Sequence, residues 1–312
     1  MIDIAGAGAF GTSLAIALAR AGRPVRLWAR DGAENMRQSR ENAKRLPDIR
    51  LPDQVEVTDD LDALRSDILL LAIPTQKLGS FLDGYRPRAG YLVSCAKGID
   101  LTTGLGPASL LSARFPDKVA AQLTGPSFAV DIARGLPTAL TLACQDATAV
   151  TTLQKALSTP NLRLYGSTDV IGAEMGGALK NVIAIGAGAV MGRGLGESAR
   201  AALMARGFAE MRRIACGFGA IDETLSGLSG LGDLILTCTS EKSRNMRFGL
   251  SLTQGTAWSE DSTVEGVATA RGLAARAEID TPLVDAVAKL SAGEVEFDEI
   301  TEALLARPLT ME

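Results

Sequence analysis

The chain has 312 residues, 46% of them hydrophobic and only 4% aromatic, with a formal net charge of −4 and a pI near 5.2. That acidic balance carries no electrostatic footprint for nucleic acid, and the length suits about two domains. Histidine is absent and Cys95, Cys144, Cys216 and Cys238 form no CxxC pair, which argues against a metal site and for reduced thiols in a cytoplasmic protein.

The chain begins MIDIAGAGAFG and runs straight into a strand pattern, with no basic and apolar leader, so no export signal is expected. Short apolar runs at 2–5, 25–28, 55–57, 68–73, 91–95, 119–123 and 139–144, extended by 162–165, alternate with helical patterns such as 12–21 and 147–157. The alternation predicts a doubly wound, mostly parallel sheet with helices on both faces. Beyond Ser167 the strand signals stop. Helical patterns at 172–191, 199–216, 264–277, 284–290 and 299–305 predict an all-α second domain. The boundary is placed near residue 168, dividing the chain into 1–168 and 169–312, with a small-molecule site expected between the two. Residues 175–192 approach the length of a bilayer span. Lys180, Asn181 and several glycines in that stretch predict a buried helix instead of a membrane span.

The first strand ends in Gly6-Ala7-Gly8-Ala9-Phe10-Gly11, and a helix follows. A GxGxxG motif is weak alone, but here it closes a strand, opens a helix and heads a series of βα units. Gly6 permits a tight turn, Gly8 admits a pyrophosphate to the backbone, and Gly11 lets the helix pack close to the strand, while the helix start offers free N–H groups to the anion. The expected fold is therefore a Rossmann-like dinucleotide-binding domain. At the end of the second strand, in Leu27-Trp28-Ala29-Arg30-Asp31, Arg30 occupies the position that reads the ribose, which favours NADP, with NAD as the other nicotinamide cofactor. Asp31 is expected to N-cap the next helix. The competing reading is a surface Arg30–Asp31 pair with no part in selectivity.

The stretch GGALKNVIAIGAG, 176–188, sets Lys180 in an otherwise apolar helix. Stepping by four gives Gly172, Gly176, Lys180, Ala184 and Gly188, a stripe of small residues that would clear space beside the amine. The plain reading is a close helix crossing with the lysine reaching solvent on its flexible stem. Without histidine, however, a nicotinamide enzyme needs another proton acceptor, and a lysine whose pKa is lowered by burial can serve. Further candidates are Lys97 and Gly98, placed after a buried strand at the sheet's carboxyl edge, and Gly125-Pro126-Ser127 at a strand-to-helix junction, with Pro126 suited to a helix start. A loop spanning GLGDLILTC and SRN adds Asp233, Thr237, Ser243, Arg244 and Asn245. Arg244 has the planar fork for a phosphate. Each has a plain alternative: a solvated Lys97, a turn at 125–127, a capped loop at 243–245.

Together GAGAFGTSLA (6–15), LWARD (27–31), CAKGI (95–99), LTGPSFA (123–129), the lysine helix, ARAALMARGFAEM (199–211), GLGDLILTC (230–238), SRN (243–245) and VEG (264–266) resemble the bacterial NAD(P)-dependent glycerol-3-phosphate dehydrogenases, across both halves and in order. The resemblance implies Lys180 as proton acceptor, and the mechanism expected beside it has Asp233 hold the amine in place. The resemblance also implies substrate contacts at Lys97, Gly125, Ser127, Lys180, Asn181, Asp233, Thr237, Ser243, Arg244 and Asn245. Cofactor contacts are implied at Gly6, Gly8, Ala9, Phe10, Gly11, Arg30, Lys97, Ala129, Arg244, Thr263 and Glu265. The implied reaction interconverts dihydroxyacetone phosphate and sn-glycerol 3-phosphate for glycerophospholipid synthesis; a homodimer is expected, its interface supplied by the all-α half. Val130-Asp131 and Ser262-Thr263 depart from the family's usual Lys-Glu and apolar pair, both on the cofactor side. The rival readings are a related lysine-dependent 3-hydroxyacid or sugar-acid-phosphate dehydrogenase, and a non-catalytic NADP-sensing protein.

Overall fold

The computed structural model describes residues 1–258, 264–275 and 280–299. The first half runs β1 (Ile2–Ala5), α1 (Ala9–Arg20), β2 (Val25–Trp28), α2 (Ala33–Ser39), β3 (Glu41–Asn42), β4 (Leu46–Arg50), β5 (Val55–Thr58), β6 (Ile68–Leu71), α3 (Thr75–Gly84), β7 (Tyr91–Ser94), α4 (Pro107–Arg114), β8 (Val119–Thr124), α5 (Ala129–Ala133), β9 (Thr138–Ala143), α6 (Ala147–Leu157) and β10 (Leu162–Ser167). Eight of these strands form one sheet in the order β10-β9-β8-β7-β6-β1-β2-β5. Neighbours are parallel except β8 and β9, where Gln122 faces Ala143 and Thr124 faces Thr141 in an antiparallel pair. The short α5 turns the chain back there instead of carrying it across a face. The order reverses beside β1, whose neighbours are β2 and β6, so a crevice opens at the carboxyl ends of β1 and β6.

The expectation of a mostly parallel, doubly wound sheet holds, because strands buried on both faces read as unbroken apolar runs. One core, with Ile4, Leu14, Leu27, Leu123 and Leu140, fills one side, and another, with Leu69, Leu71, Leu78, Leu92 and Leu111, fills the other. Two details differ. Strand 68–73 ends at Leu71. The antiparallel ribbon β3–β4 escaped notice, since LPDIR mixes a proline and charges into a partly exposed strand.

The second half is helical: α7 (Val170–Gly192), α8 (Gly196–Gly217), α9 (Asp222–Leu225), α10 (Asp233–Cys238), α11 (Arg244–Gln254), α12 (Glu265–Ala274) and α13 (Pro282–Ala292), with a π-helical turn at Leu228–Gly232 before α10. The loop expected across 230–245 is thus mostly helix, joined at 239–243. Residues 276–277 and 300–305 of the expected helices lie outside the described residues. By length and composition α7 could cross a bilayer, yet 89% of its most apolar window is buried against the rest of the chain. It is the axis of the helical core, with Leu179, Val182, Ile183 and Ile185 packed against Met211, Ile214, Leu234, Met246 and Val284.

Glycine sets the tightest crossing. A Cβ on Gly188 of α7 would overlap the carbonyl of Met246 in α11, and one on Gly249 of α11 would overlap that of Ile185. Asp169 caps α7 by accepting from Gly172 N at 2.8 Å and also holds Ile221 N at 2.9 Å. A small cluster of Ala108, Ala143, Val170 and Ala173 joins the end of the sheet to the start of α7.

Candidate active site

The nucleotide end is built by β1 and α1. Gly6 has φ +111°, and a Cβ there would lie 2.5 Å from Ala72 O; one on Gly11 would overlap Gly6 O. A Cβ on Gly8, in contrast, would meet nothing within 4 Å. Two glycines are therefore required by the protein's own backbone, and the third faces open space. This arrangement fits an approaching pyrophosphate at the N-terminus of α1. Ala9 opens the helix, and Phe10 and Ala129 pack half-buried against the sheet core. Arg30 extends beyond β2 with its side chain 83% exposed, its Nε 3.0 Å from Asp31 Oδ2. Asp31 is not the cap of α2. Gly32, at φ +76°, takes that position without a side-chain hydrogen bond, and Asp31 engages Arg30 instead.

Lys97 leaves the end of β7, and its Nζ donates to Gly125 O at 3.0 Å and to Asp233 Oδ2 at 2.5 Å. Gly125 sits at φ +131° in the turn after β8, and Ser127 Oγ donates back to its carbonyl at 3.3 Å. Pro126 lies in this turn and does not start a helix; α5 begins three residues later, at Ala129. From the helical half, Lys180 Nζ donates to the other oxygen of the same carboxylate, Asp233 Oδ1, at 3.1 Å, and to Thr237 Oγ1 at 2.7 Å. Asp233 is 1% exposed and Lys180 7%. One carboxylate thus bridges two ammonium groups, one from each half of the chain. Burial lowers the Lys180 pKa to about 8; Asp233 opposes the shift, and the charge of Lys97 adds to it.

The stripe of small residues has a different purpose from the one its spacing suggested. Gly176 makes room for the π-helical turn, a Cβ there falling 2.6 Å from Ser229 O. Gly177 clears the hydroxyl of Thr124, which would lie 2.8 Å from an added Cβ, and packs in ordinary contact with the stem of Lys97.

Ser243 caps α11, its Oγ accepting from Met246 N at 3.2 Å, which leaves the backbone N–H groups of Arg244 and Asn245 at the helix start. Arg244 is exposed there. Asn245 Nδ2 donates to Asn181 Oδ1 at 2.8 Å, and Asn245 Oδ1 accepts from Gly266 N at 3.0 Å. The two amides accordingly tie α7, α11 and α12 together, and each keeps only part of its hydrogen-bonding capacity for a ligand. Glu265 opens α12; burial raises its pKa, opposed by the charges of Arg244, Lys180 and Lys97. Thr263 lies outside the described residues.

The family model described as NAD-dependent glycerol-3-phosphate dehydrogenase N-terminus matches residues 1–150, and its C-terminus counterpart matches residues 169–302. This chain belongs to the NAD-dependent glycerol-3-phosphate dehydrogenase family.

Relatives in the family are similar over the whole length. A glycerol-3-phosphate dehydrogenase [NAD(P)+] of Jannaschia sp. is 59% identical, with 100% of this chain and 99% of that protein covered. One from Paracoccus denitrificans is 54% identical at the same coverage. The crystal structure of glycerol-3-phosphate dehydrogenase from Coxiella burnetii superposes with a TM-score of 0.90 at 32% identity, covering 98% of both chains.

The fold brings Lys97, Gly125, Ser127, Lys180, Asp233 and Thr237 into one site, with Asn181 and Asn245 behind it and Arg244 and Glu265 beside it. Arg30 stands apart in solvent. Glu174, six residues before Lys180 and 4% exposed, belongs to none of the motifs. Its carboxylate accepts from Ala108 N at 2.6 Å, Ser109 N at 3.0 Å and Ser109 Oγ at 2.6 Å, so it caps α4 from α7. An acid inside an apolar helix is the same kind of signal that singled out Lys180.

Proposed function

We propose that the chain reduces dihydroxyacetone phosphate to sn-glycerol 3-phosphate, reversibly, with NADPH or NADH, at the cleft between a dinucleotide-binding unit, 1–168, and a helical unit, 169–312. The observation that carries this reading is the buried Lys180, held at 3.1 Å by Asp233 and 2.7 Å by Thr237 with its pKa brought to about 8. When bound, the nicotinamide supplies the hydride for substrate C2. Lys180 gives its proton to the C2 oxygen as the ketone becomes an alcohol, and in the reverse direction its free amine takes that proton. Asp233 keeps the amine oriented and, through its second oxygen, keeps Lys97 at the sheet edge.

The substrate phosphate is assigned to the start of α11. The guanidinium of Arg244, the free backbone N–H groups and the hydroxyl of Ser243 are the donors that this helix start would offer an anion. Gly125 and Ser127 would contact the substrate beside Lys97, and Asn181 and Asn245 each retain an N–H for a ligand hydroxyl. Gly6, Gly8, Ala9, Phe10 and Gly11 would hold the pyrophosphate side of the cofactor, Ala129, Lys97, Arg244 and Glu265 the nicotinamide side, and Arg30 the ribose phosphate of NADPH. Lys97, Lys180 and Arg244 outnumber Asp233 and Glu265 and leave the site cationic, as two phosphorylated ligands require.

Glycerophospholipid synthesis as the destination of the product, a cytoplasmic location and a homodimer belong to the same proposal. Four unpaired cysteines support the location. Sedimentation velocity would test the homodimer. The deciding experiment follows the loss of NADPH absorbance on adding dihydroxyacetone phosphate, with NADH in parallel. Cofactor binding without oxidation would leave the nucleotide half standing and overturn the substrate assignment at 233–245.

A further inference from the structure

Asn42 lies in none of the motifs and is 6% exposed on the two-residue strand β3. Its Nδ2 donates to Ala7 O at 2.8 Å and to Thr12 Oγ1 at 2.8 Å, which uses both amide protons. The two acceptors flank the glycine turn: Ala7 is its second residue, and Thr12 N donates to Gly8 O at 2.9 Å to close the first turn of α1. The peptide bonds are trans, so with the Ala7 carbonyl drawn to Asn42 the Gly8 N–H points the opposite way. The turn is therefore held from two sides, by Ala72 against Gly6 and by Asn42 against Ala7.

The ribbon that delivers Asn42 is itself pinned. Arg40 donates to Val55 O at 3.0 Å and to Pro52 O, Leu51 N donates to Arg40 O at 2.7 Å, and Asp48 N donates to Glu41 Oε1 at 2.8 Å. Among the described residues, Arg40 at φ 53° and Asp48 at φ 62° are the non-glycine positions with left-handed backbone, and both belong to this ribbon or its edge. Such strain persists where the surroundings over-determine a conformation.

We propose that Asn42 is a positioning residue for the dinucleotide turn, fixing the Ala7–Gly8 peptide so that its N–H is aimed before the pyrophosphate arrives. The proposal rests on the reading of residues 6–11 as the cofactor loop. Asn42→Asp keeps the shape but turns two donors into acceptors facing Ala7 O; Thr12→Val removes one acceptor and leaves the ribbon intact.

The test measures calorimetric Kd for NADPH and NADH, hydrogen exchange of the amides at 6–12 in the cofactor-free protein, and Tm. For Asn42→Asp the expected result is a Kd raised about tenfold or more for both cofactors alike, with kcat and the KM for dihydroxyacetone phosphate at saturating cofactor within about twofold. Exchange at 6–12 accelerates, and the rest of the chain keeps its protection. Thr12→Val gives a smaller change in the same direction, and decides the matter if the aspartate variant does not fold. Unchanged Kd and unchanged loop exchange in the folded variants overturn the proposal, as does weaker binding with loop exchange unaltered. If the unaltered protein binds neither cofactor, the reading of the loop itself fails, and the exchange data alone still decide whether Asn42 orders the turn.

Discussion

With one carboxylate between two ammonium groups, neutralising Asp233 leaves Lys97 and Lys180 facing each other across a buried pocket. The charge of Asp233 raises the Lys180 pKa while burial and Lys97 lower it. Asp233→Asn should consequently move Lys180 further below about 8 and shift the pH profile of reduction toward acid; a profile left in place would remove Asp233 from this role. In the unaltered protein, reduction uses the ammonium form, so its kcat should fall as pH rises through about 8, and oxidation of glycerol 3-phosphate should rise through the same window. Lys180→Ala should keep its Kd for NADPH and lose turnover by about 10²–10⁴. Stopped-flow single turnovers would measure the loss, and near-normal rates would sink the assignment of the base. Among the described residues Arg30 pairs with its exposed neighbour Asp31, a contact weak enough to yield to a ligand phosphate. Arg30→Asp should weaken NADPH more than NADH in parallel titrations, and equal losses would leave the surface pair as its whole meaning. Lys180, Lys97 and Asp233 were legible in the sequence because each stands next to a strand end, a glycine or an apolar run that gives it a place. Asn42 was not, since its partners lie 30 and 35 residues away and nothing local marks it.

At the scale of elements, the crossing of α7 with α11 depends on two reciprocal absences of a side chain. Gly249→Ala would push a methyl into the Ile185 carbonyl, and Gly188→Ala would do the same to Met246. Either should cost about 1–3 kcal/mol in urea unfolding, the usual penalty for overpacking. Gly79→Ala in α3, where an added Cβ meets nothing within 4 Å, should instead gain about 0.5–1 kcal/mol. Equal effects at the two kinds of site would show that the crossing tolerates separation. The strands were readable because continuous apolar runs leave few alternatives. The reversal at β9 was not, because strand direction is set by how the intervening chain returns. α11 escaped for another reason: RNMRFGLSLTQ buries only Asn245, Met246, Gly249 and Ser251, and its polar start reads like a loop.

Across the whole molecule, the change of period near residue 168 falls where β10 ends at Ser167 and Asp169 caps α7. What the sequence left open was their docking, which depends on pairs such as Lys97 with Asp233 and Glu174 with Ser109, far apart along the chain. Residues 1–168 expressed alone should still bind NADPH through the glycine turn. The affinity should be lower than that of the full chain because Arg244 and Glu265 are missing, and calorimetry on the two would compare them. Equal affinity would confine the cofactor to the sheet half, and a fragment that does not fold would mean the halves are one folding unit.

Glu174 fastens the lysine helix to α4, and Gly188 and Gly249 seat α11 directly on its other end. The helix is therefore a shared axle and a passenger of neither half. Any exchange of the segment from Thr239 to Gln254 between relatives must therefore keep Gly249, against the Ile185 carbonyl, and Asn245, against Asn181 and Gly266.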